Sequence, residues 1–528
     1  MPSKTGNLSA TCNPPGKSIV KQCMLKPLPS AKWNYSTAAH LLNRAGFGGS
    51  PAEIEKLVNL GPDKAVDFFV EYEKIPEMAP ELSWAKPDPG RADKFLAYRK
   101  MQEQSRKETM TPEDRRALEE KRREMQREEQ RTQQLQILEL RGWWLARMAS
   151  GPRPLQEKLT LFWHGHFATS AQKVRDSYFM WLQNQTFRTM GSGNWLKLLY
   201  AVAKDPAMLF WLDQAQSRKQ HPNENFAREV MELFTLGEGH YTEKDVTEAA
   251  RSMTGWTINR AQEKYEFREA MHDQGEKTVL GKTGNFTGLD VLKLIVDQPQ
   301  AARFITEKLW KFFASDNPSP ELVEALASVF RGAGNNFKPL LQTMFRSEEF
   351  YADSVIRTQV KSPVQWLVGS VRQLERDLPA PLVCTQLLKN LGQELLMPPN
   401  VKGWDGGLSW ITTNNLLNRY NEAAMLVLAE GSMAADSSNQ RMRKIEEVAN
   451  RMAQKMPVVD VSKILSAEER RQKELVVPAL ERRFLQAKLK PKQAQTLRDF
   501  LDGRGELDDQ DIRHTIRLIM STPEYQLT

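Results

Sequence analysis

The sequence predicts a mostly α-helical fold: one large multi-helix globular domain carrying one small β-hairpin and a projecting charged helical arm. Three observations predict it. Apolar residues recur at helical spacing through most of the 528-residue chain. Helix starts are marked by capping residues and helix ends by glycine or proline. Only one short stretch alternates apolar and polar residues with period two.

Composition sets the outer bounds. Apolar side chains make up 40% and charged ones 27%, the balance of a globular chain rather than a disordered one. No window approaches the roughly 18 consecutive apolar residues of a membrane span, so none is expected. The net charge is +8, and Lys4, Lys17, Lys21, Lys26 and Lys32 supply five of those charges with no acid among residues 1–33. That segment reads as a disordered basic tail, and the excess charge as a solvated arm rather than a nucleic-acid surface. Cys12, Cys23 and Cys384 form no metal pair and no disulfide framework, although Cys12 and Cys23 could pair in an oxidising compartment. As written, no apolar segment follows the N-terminal lysines, so no export signal is visible. A cytoplasmic location is expected, with a periplasmic or extracellular one left open.

Residues 34–528 read as a single large helical domain. Ser36 or Thr37 can cap a helix containing His40, Leu41 and Leu42, which stops at Gly46-Phe47-Gly48-Gly49. Ser50-Pro51-Ala52-Glu53 opens the next helix as a capping box with proline in its first turn. Residues 76–90 are a proline-rich loop. Residues 91–140 form the inserted arm: from Pro112 to Arg131 seven basic and seven acidic side chains predict a long helix with few apolar contacts. Apolar residues return at Ile137 and thicken through Trp143, Trp144 and Met148. Gly151-Pro152-Arg153-Pro154 ends that stripe, and Leu155, Leu159, Phe162 and Trp163 form a helix that delivers His164.

Further along, Asn223 or Asn225 can cap a helix with Phe226, Val230, Leu233 and Phe234 on one face, ended by Gly237. Thr242 with Asp245 caps the next, closed by Gly255. Trp256, Ile258, Tyr265 and Phe267 alternate, predicting a β-hairpin over 256–269. His272-Asp273-Gln274-Gly275 and the segment around Gly281 read as loop. Helical spacing then dominates to the end, broken by a glycine- and tryptophan-rich loop at 398–410.

Several of these stretches together resemble a known family. They are His40 to Gly48, Phe162 to Phe167, Asn223 to Gly237 with Tyr241-Thr242, Thr254 to Thr257, His272 to Gly275 with Lys277 and Leu280-Gly281, and Pro398 to Gly407. In that order they are similar to the large bacterial family catalogued as domain of unknown function 1800, over residues 34–528. The resemblance implies a mostly helical protein of this size and supplies no activity. It also implies export signals in many members and a protein partner resembling sulfatases, encoded nearby.

The chemistry-bearing residues concentrate between 164 and 272, which holds five of the seven histidines. If Phe162-Trp163-His164-Gly165-His166-Phe167 were extended at the histidines, His164 and His166 would project to one side and could share a metal ion. His272 and Asp273 would be the next ligands, followed by Glu229 and Glu232. The expected arrangement is a pocket in which His164, His166 and His272 hold a divalent transition metal. One of Glu229, Glu232 and Asp273 would then act as general base on a bound water, a hydrolytic chemistry. Two other readings stay open for the imidazoles: packing in an aromatic core, or acid–base catalysis without metal. Gly281-Lys282-Thr283 lacks a glycine at the spacing a phosphate loop needs, and no GxSxG elbow is present. The alternative to an enzyme is a non-catalytic binding or assembly partner of a sulfatase-like protein, acting through the charged arm.

Overall fold

A computed structural model describes residues 24–77, 79–106, 110–430 and 440–528. Cys12, Cys23 and the lysines at 4, 17 and 21 lie outside the described residues. Helices dominate, as the spacing predicts. Two small two-stranded antiparallel sheets accompany them. In the first, Trp256 faces Phe267 and Ile258 faces Tyr265, the expected hairpin. The second pairs Lys277–Val279 with Lys282–Gly284, where the sequence suggests loop. Leu280 at φ 49° and Gly281 at φ 74° make the tight turn that joins these strands. Strands this short leave almost no alternation to read. Among the described residues no helix is long and apolar enough to cross a membrane.

The end of the basic tail is anchored, contrary to the expectation of an irregular chain up to residue 33. Leu28 N donates to Arg346 O at 2.7 Å, and Lys32 pairs with Glu348 at 2.9 Å. Tyr35–Ala45 follows, capped by Asn34, with Thr37 as its reciprocal partner rather than as the cap. The Ser50–Glu53 capping box opens Pro51–Leu60 as expected.

The arm consists of two helices, Arg91–Gln104 and Pro112–Ser150. The first buries no residue, and the second buries none before Leu140. Gln126 Nε2 donates to Tyr98 Oη at 3.0 Å, so the two run side by side. Arg91 roots the arm by pairing with Asp176 and, at 2.6 Å, with Glu263. From Leu140 inward the same helix changes material, and Trp144, Leu145 and Met148 are sealed from solvent.

Pro154–His166 lies at the centre, packed against Ser177–Met190 and against the inner part of the long helix. Every residue from Leu155 to His164 is buried, so this helix has no solvent face. Its polar side chains therefore reach into its neighbours. Glu157 takes Arg147 at 2.7 Å and Arg188 at 2.9 Å, and Trp143 is stacked by both guanidiniums at 4.9 and 4.8 Å.

Candidate functional site

The histidine pair is helical, not extended. Pro154–His166 runs through both residues, and positions two apart on an α-helix point roughly 200° away from each other. His164 and His166 therefore leave the helix on opposite sides and do not share a ligand sphere.

The His164 ring lies 5.5 Å from both Trp144 and Trp404. Its Nε2 accepts the N–H of Leu396 at 3.1 Å. Leu396 has φ 62°, a left-handed conformation that a side-chain-bearing residue adopts only when held. Arg141 holds the same turn through Leu395 O and Glu394, each at 2.8 Å. Burial, with Arg141 nearby, pushes the His164 imidazole down to about 3, so it stays neutral and can accept.

His166 packs among Phe162, Trp163, Phe167 and Phe234. Its Nε2–H donates to Phe234 O at 3.0 Å, and its Nδ1 faces Lys308 Nζ at 3.4 Å. Burial and the Lys308 charge hold this ring neutral as well.

His272 belongs to another neighbourhood. Its Nδ1–H donates to Thr254 O at 3.0 Å, and its ring packs against Phe267. Asp273 is paired with Arg251 at 2.8 Å and accepts the N–H of Gly275, which holds its carboxylate below the usual range. Lys277 Nζ ties the loop together through Asp273 O at 2.6 Å and Gly275 O at 2.9 Å. His272 and Asp273 line an open concavity with Lys219 and Glu269. Among the described residues no group of three or more His, Cys, Asp or Glu side chains is placed to hold a metal ion.

What the structure does bring together is the carboxylate pair. Glu224–Glu229 passes directly into a π-helical turn, Val230–Thr235, so Glu229 and Glu232 flank the change of helix type. Such turns leave carbonyls in need of outside donors and recur at functional sites. Here His166 supplies one donor to Phe234 O, and Lys308 Nζ supplies another to Leu233 O at 2.9 Å. Burial and the neighbouring Lys311 charge push Lys308 down to about 8.

Glu229 is half-buried, and burial plus the charge of Glu232 raises its carboxyl above the ordinary range, against the pull of Arg228 and Lys402. Glu232 accepts the Tyr241 hydroxyl at 2.8 Å. Burial first, and this bond second, push Tyr241 up to about 12, which keeps it a donor. Arg228 pairs with Glu243 at 2.7 Å and approaches Glu224 only at 3.9 Å, so it is not the partner of Glu232. Sequence reasoning missed Lys308, a lone amine inside the apolar period Phe304-Ile305-Leu309-Trp310. It also missed Lys402, which lies in the 398–410 loop.

That loop closes over the histidine helix at Gly403. A side chain at Gly165 would meet open space, whereas a Cβ on Gly403 would lie 2.3 Å from Gly165 O. Gly403 also has φ 84°. Close approach of the two backbones brings Trp404 against His164.

A family model described as "Protein of unknown function (DUF1800)" matches residues 40–527. No curated protein and no solved structure matches the chain.

Two measurements check this geometry. Gly403→Ala is expected to cost about 2 kcal/mol or more in unfolding free energy. Gly165→Ala is expected to be neutral or to stabilise by up to about 1 kcal/mol, as alanine does in an open helix position. Equal effects in thermal or urea unfolding would contradict the contact. The second measurement is pH dependence. As pH falls through about 6.5 the unfolded chain protonates its imidazoles, while His164 stays neutral in the fold until about 3. The unfolded state then binds more protons, so stability falls with falling pH, by up to about 1.4 kcal/mol per unit for this residue. In urea unfolding across that window, His164→Gln should show a shallower loss than the natural chain.

Proposed function

The chain belongs to the DUF1800 family, and we propose that it is a hydrolase working through Glu229 and Glu232 as an acid–base pair. The observation that carries the reading is the half-buried Glu229 beside the Tyr241-oriented Glu232, with burial and the Glu232 charge raising the Glu229 carboxyl above its ordinary range. Two carboxyl groups whose surroundings differ can divide acid and base roles at one pH. Glu232, oriented by Tyr241, takes a proton from water as the water oxygen attacks the substrate. Glu229 gives its proton to the departing oxygen or nitrogen. The bond to the leaving group breaks, the bond to water oxygen forms, and release of product returns the proton from Glu232 to Glu229 through solvent.

Lys402 stands near Glu229 and would favour an anionic substrate group. His166 and Lys308 keep the π turn in shape and act through it, not on substrate. In this reading the three imidazoles first considered as metal ligands serve as holders, because His164, His166 and His272 each spend a ring nitrogen on a main-chain group.

The test is a panel of nitrophenyl esters, phosphate esters, sulfate esters and glycosides, run with the natural chain, Glu229→Gln and Glu232→Gln. Hydrolysis of one class is expected, reduced roughly 10²–10⁴-fold in each variant with the fold intact. Absence of hydrolysis across the panel, or equal rates in the variants, overturns the reading.

A second reading has its own observation. The arm exposes Phe95, Leu96 and Leu135 at 36%, 50% and 58%, apolar surface that a partner could cover. A sulfatase-like protein is the partner the family resemblance implies. Tyr98 and Gln126 lie side by side, so residues 99–125 can be replaced by a short glycine–serine linker. Co-expression with a sulfatase-like protein from the same genome should give a complex with the natural chain and none with the shortened one. Equal capture by both would remove the arm from the interface.

A further inference from the structure

The His272 ring leaves one nitrogen unspent. The residue is only 7% exposed, and Thr254 O, which can only accept, fixes the hydrogen on Nδ1. The uncharged imidazole then carries its lone pair on Nε2. That atom bonds to no described residue, yet it keeps contact with solvent. A buried ring thus presents an oriented acceptor at the open concavity, whose volume is about 650 Å³.

The walls around it are held by the main chain. Lys219 N donates to Met271 O at 2.8 Å, which sets Lys219 beside the Glu269–Met271 turn. His272 N donates to Glu269 O at 2.9 Å, and Asp273 N to Thr254 Oγ1 at 2.8 Å. The exposed Lys219 ammonium makes no ion pair and no hydrogen bond among the described residues. Gln274 Nε2 donates to Glu269 Oε1 at 3.3 Å, so an amide and a carboxylate stand together. Against the His272 ring, at 5.4 Å, lies the ring of Phe267, which is 44% exposed.

These groups select a class of ligand. An apolar ligand needs enclosed apolar walls, and here every lining side chain but Ala270 is polar. A hydroxylated ring suits the concavity better. Its hydroxyls can donate to His272 Nε2 and to Glu269, and its C–H face can lie on Phe267. Lys219 calls for negative charge on the ligand. A phosphate dianion would bring two charges beside the carboxylates of Glu269 and Asp273, whereas one carboxylate matches one ammonium.

We propose that this concavity binds an acidic sugar, a hydroxylated ring bearing one carboxylate. The carboxylate accepts from Lys219 Nζ, and a ring hydroxyl donates to His272 Nε2. This binding does not depend on the Glu229–Glu232 chemistry.

Ligand-observed NMR titration of the full chain with D-glucuronate and with D-glucose tests the site, since the two sugars differ only in a carboxylate against a hydroxymethyl group. Glucuronate is expected to bind saturably and roughly tenfold more tightly than glucose, the worth of one charge-assisted hydrogen bond. Lys219→Gln, at an exposed position, should erase that preference without changing the thermal unfolding of the chain. In protein carrying isotopically labelled histidine, the His272 Nε2 resonance should move as glucuronate is added. Binding of neither sugar, equal binding of both, a preference that survives Lys219→Gln, or a His272 resonance that stays in place overturns the proposal. Binding of uridine monophosphate in place of glucuronate overturns it as well.

Discussion

A helix sealed from water on every side must find partners inside the protein for the polar groups it carries, and Pro154–His166 carries seven such side chains, Trp163 among them with its indole N–H on Gly191 O. Gln156 reaches the carbonyl of Arg188, Glu157 two guanidiniums, and Lys158 the carbonyls that end the first helix. Thr160 bonds back to its own helix. His164 reaches the Leu396 turn and His166 the π turn. Removing one partner would strand a buried donor or acceptor at a cost of about 1–3 kcal/mol, more for the charges. The surrounding segments are thus fixed by what this helix needs, and the carboxylate pair inherits its position from one of them.

That dependence explains the division of labour among the histidines. An imidazole kept neutral by burial is a donor at one nitrogen and an acceptor at the other. His164 uses the acceptor to hold a left-handed N–H, and His166 the donor to hold a freed carbonyl. Both demands are structural, and both stand within one turn of each other on opposite sides of the helix. The titratable groups that remain half-open, Glu229 foremost, are those the central helix does not consume.

Much of the fold was legible because its punctuation is local. The Ser50–Glu53 and Thr242–Asp245 boxes, the Trp256–Phe267 alternation and the change of material near Leu140 each announce themselves within a few residues. The candidate site was legible only as a neighbourhood. The helix continues through Gly165 between the two histidines, and periodicity cannot distinguish a helical glycine from a flexible one. The π turn left no signature either, because it is defined by which carbonyls find donors from distant residues. Lys308 lies 142 positions from His166, a separation at which sequence spacing carries no information. The second hairpin and the docked end of the basic tail were hidden for the same reason: their partners are remote or their strands too brief.

The helix Pro112–Ser150 is a single uninterrupted rod of 39 residues, about 58 Å from end to end. Its outer turns stand in water, while Trp144 at the inner end lies against the His164 ring. A stiff body with one free end and one embedded end behaves as a lever. A push at the tip is carried along the backbone toward the tryptophan, past the brace that Ser177 makes with Gln133 and Gln136. The arm and the buried imidazole are mechanically one part, and whatever grips the first has a handle on the second.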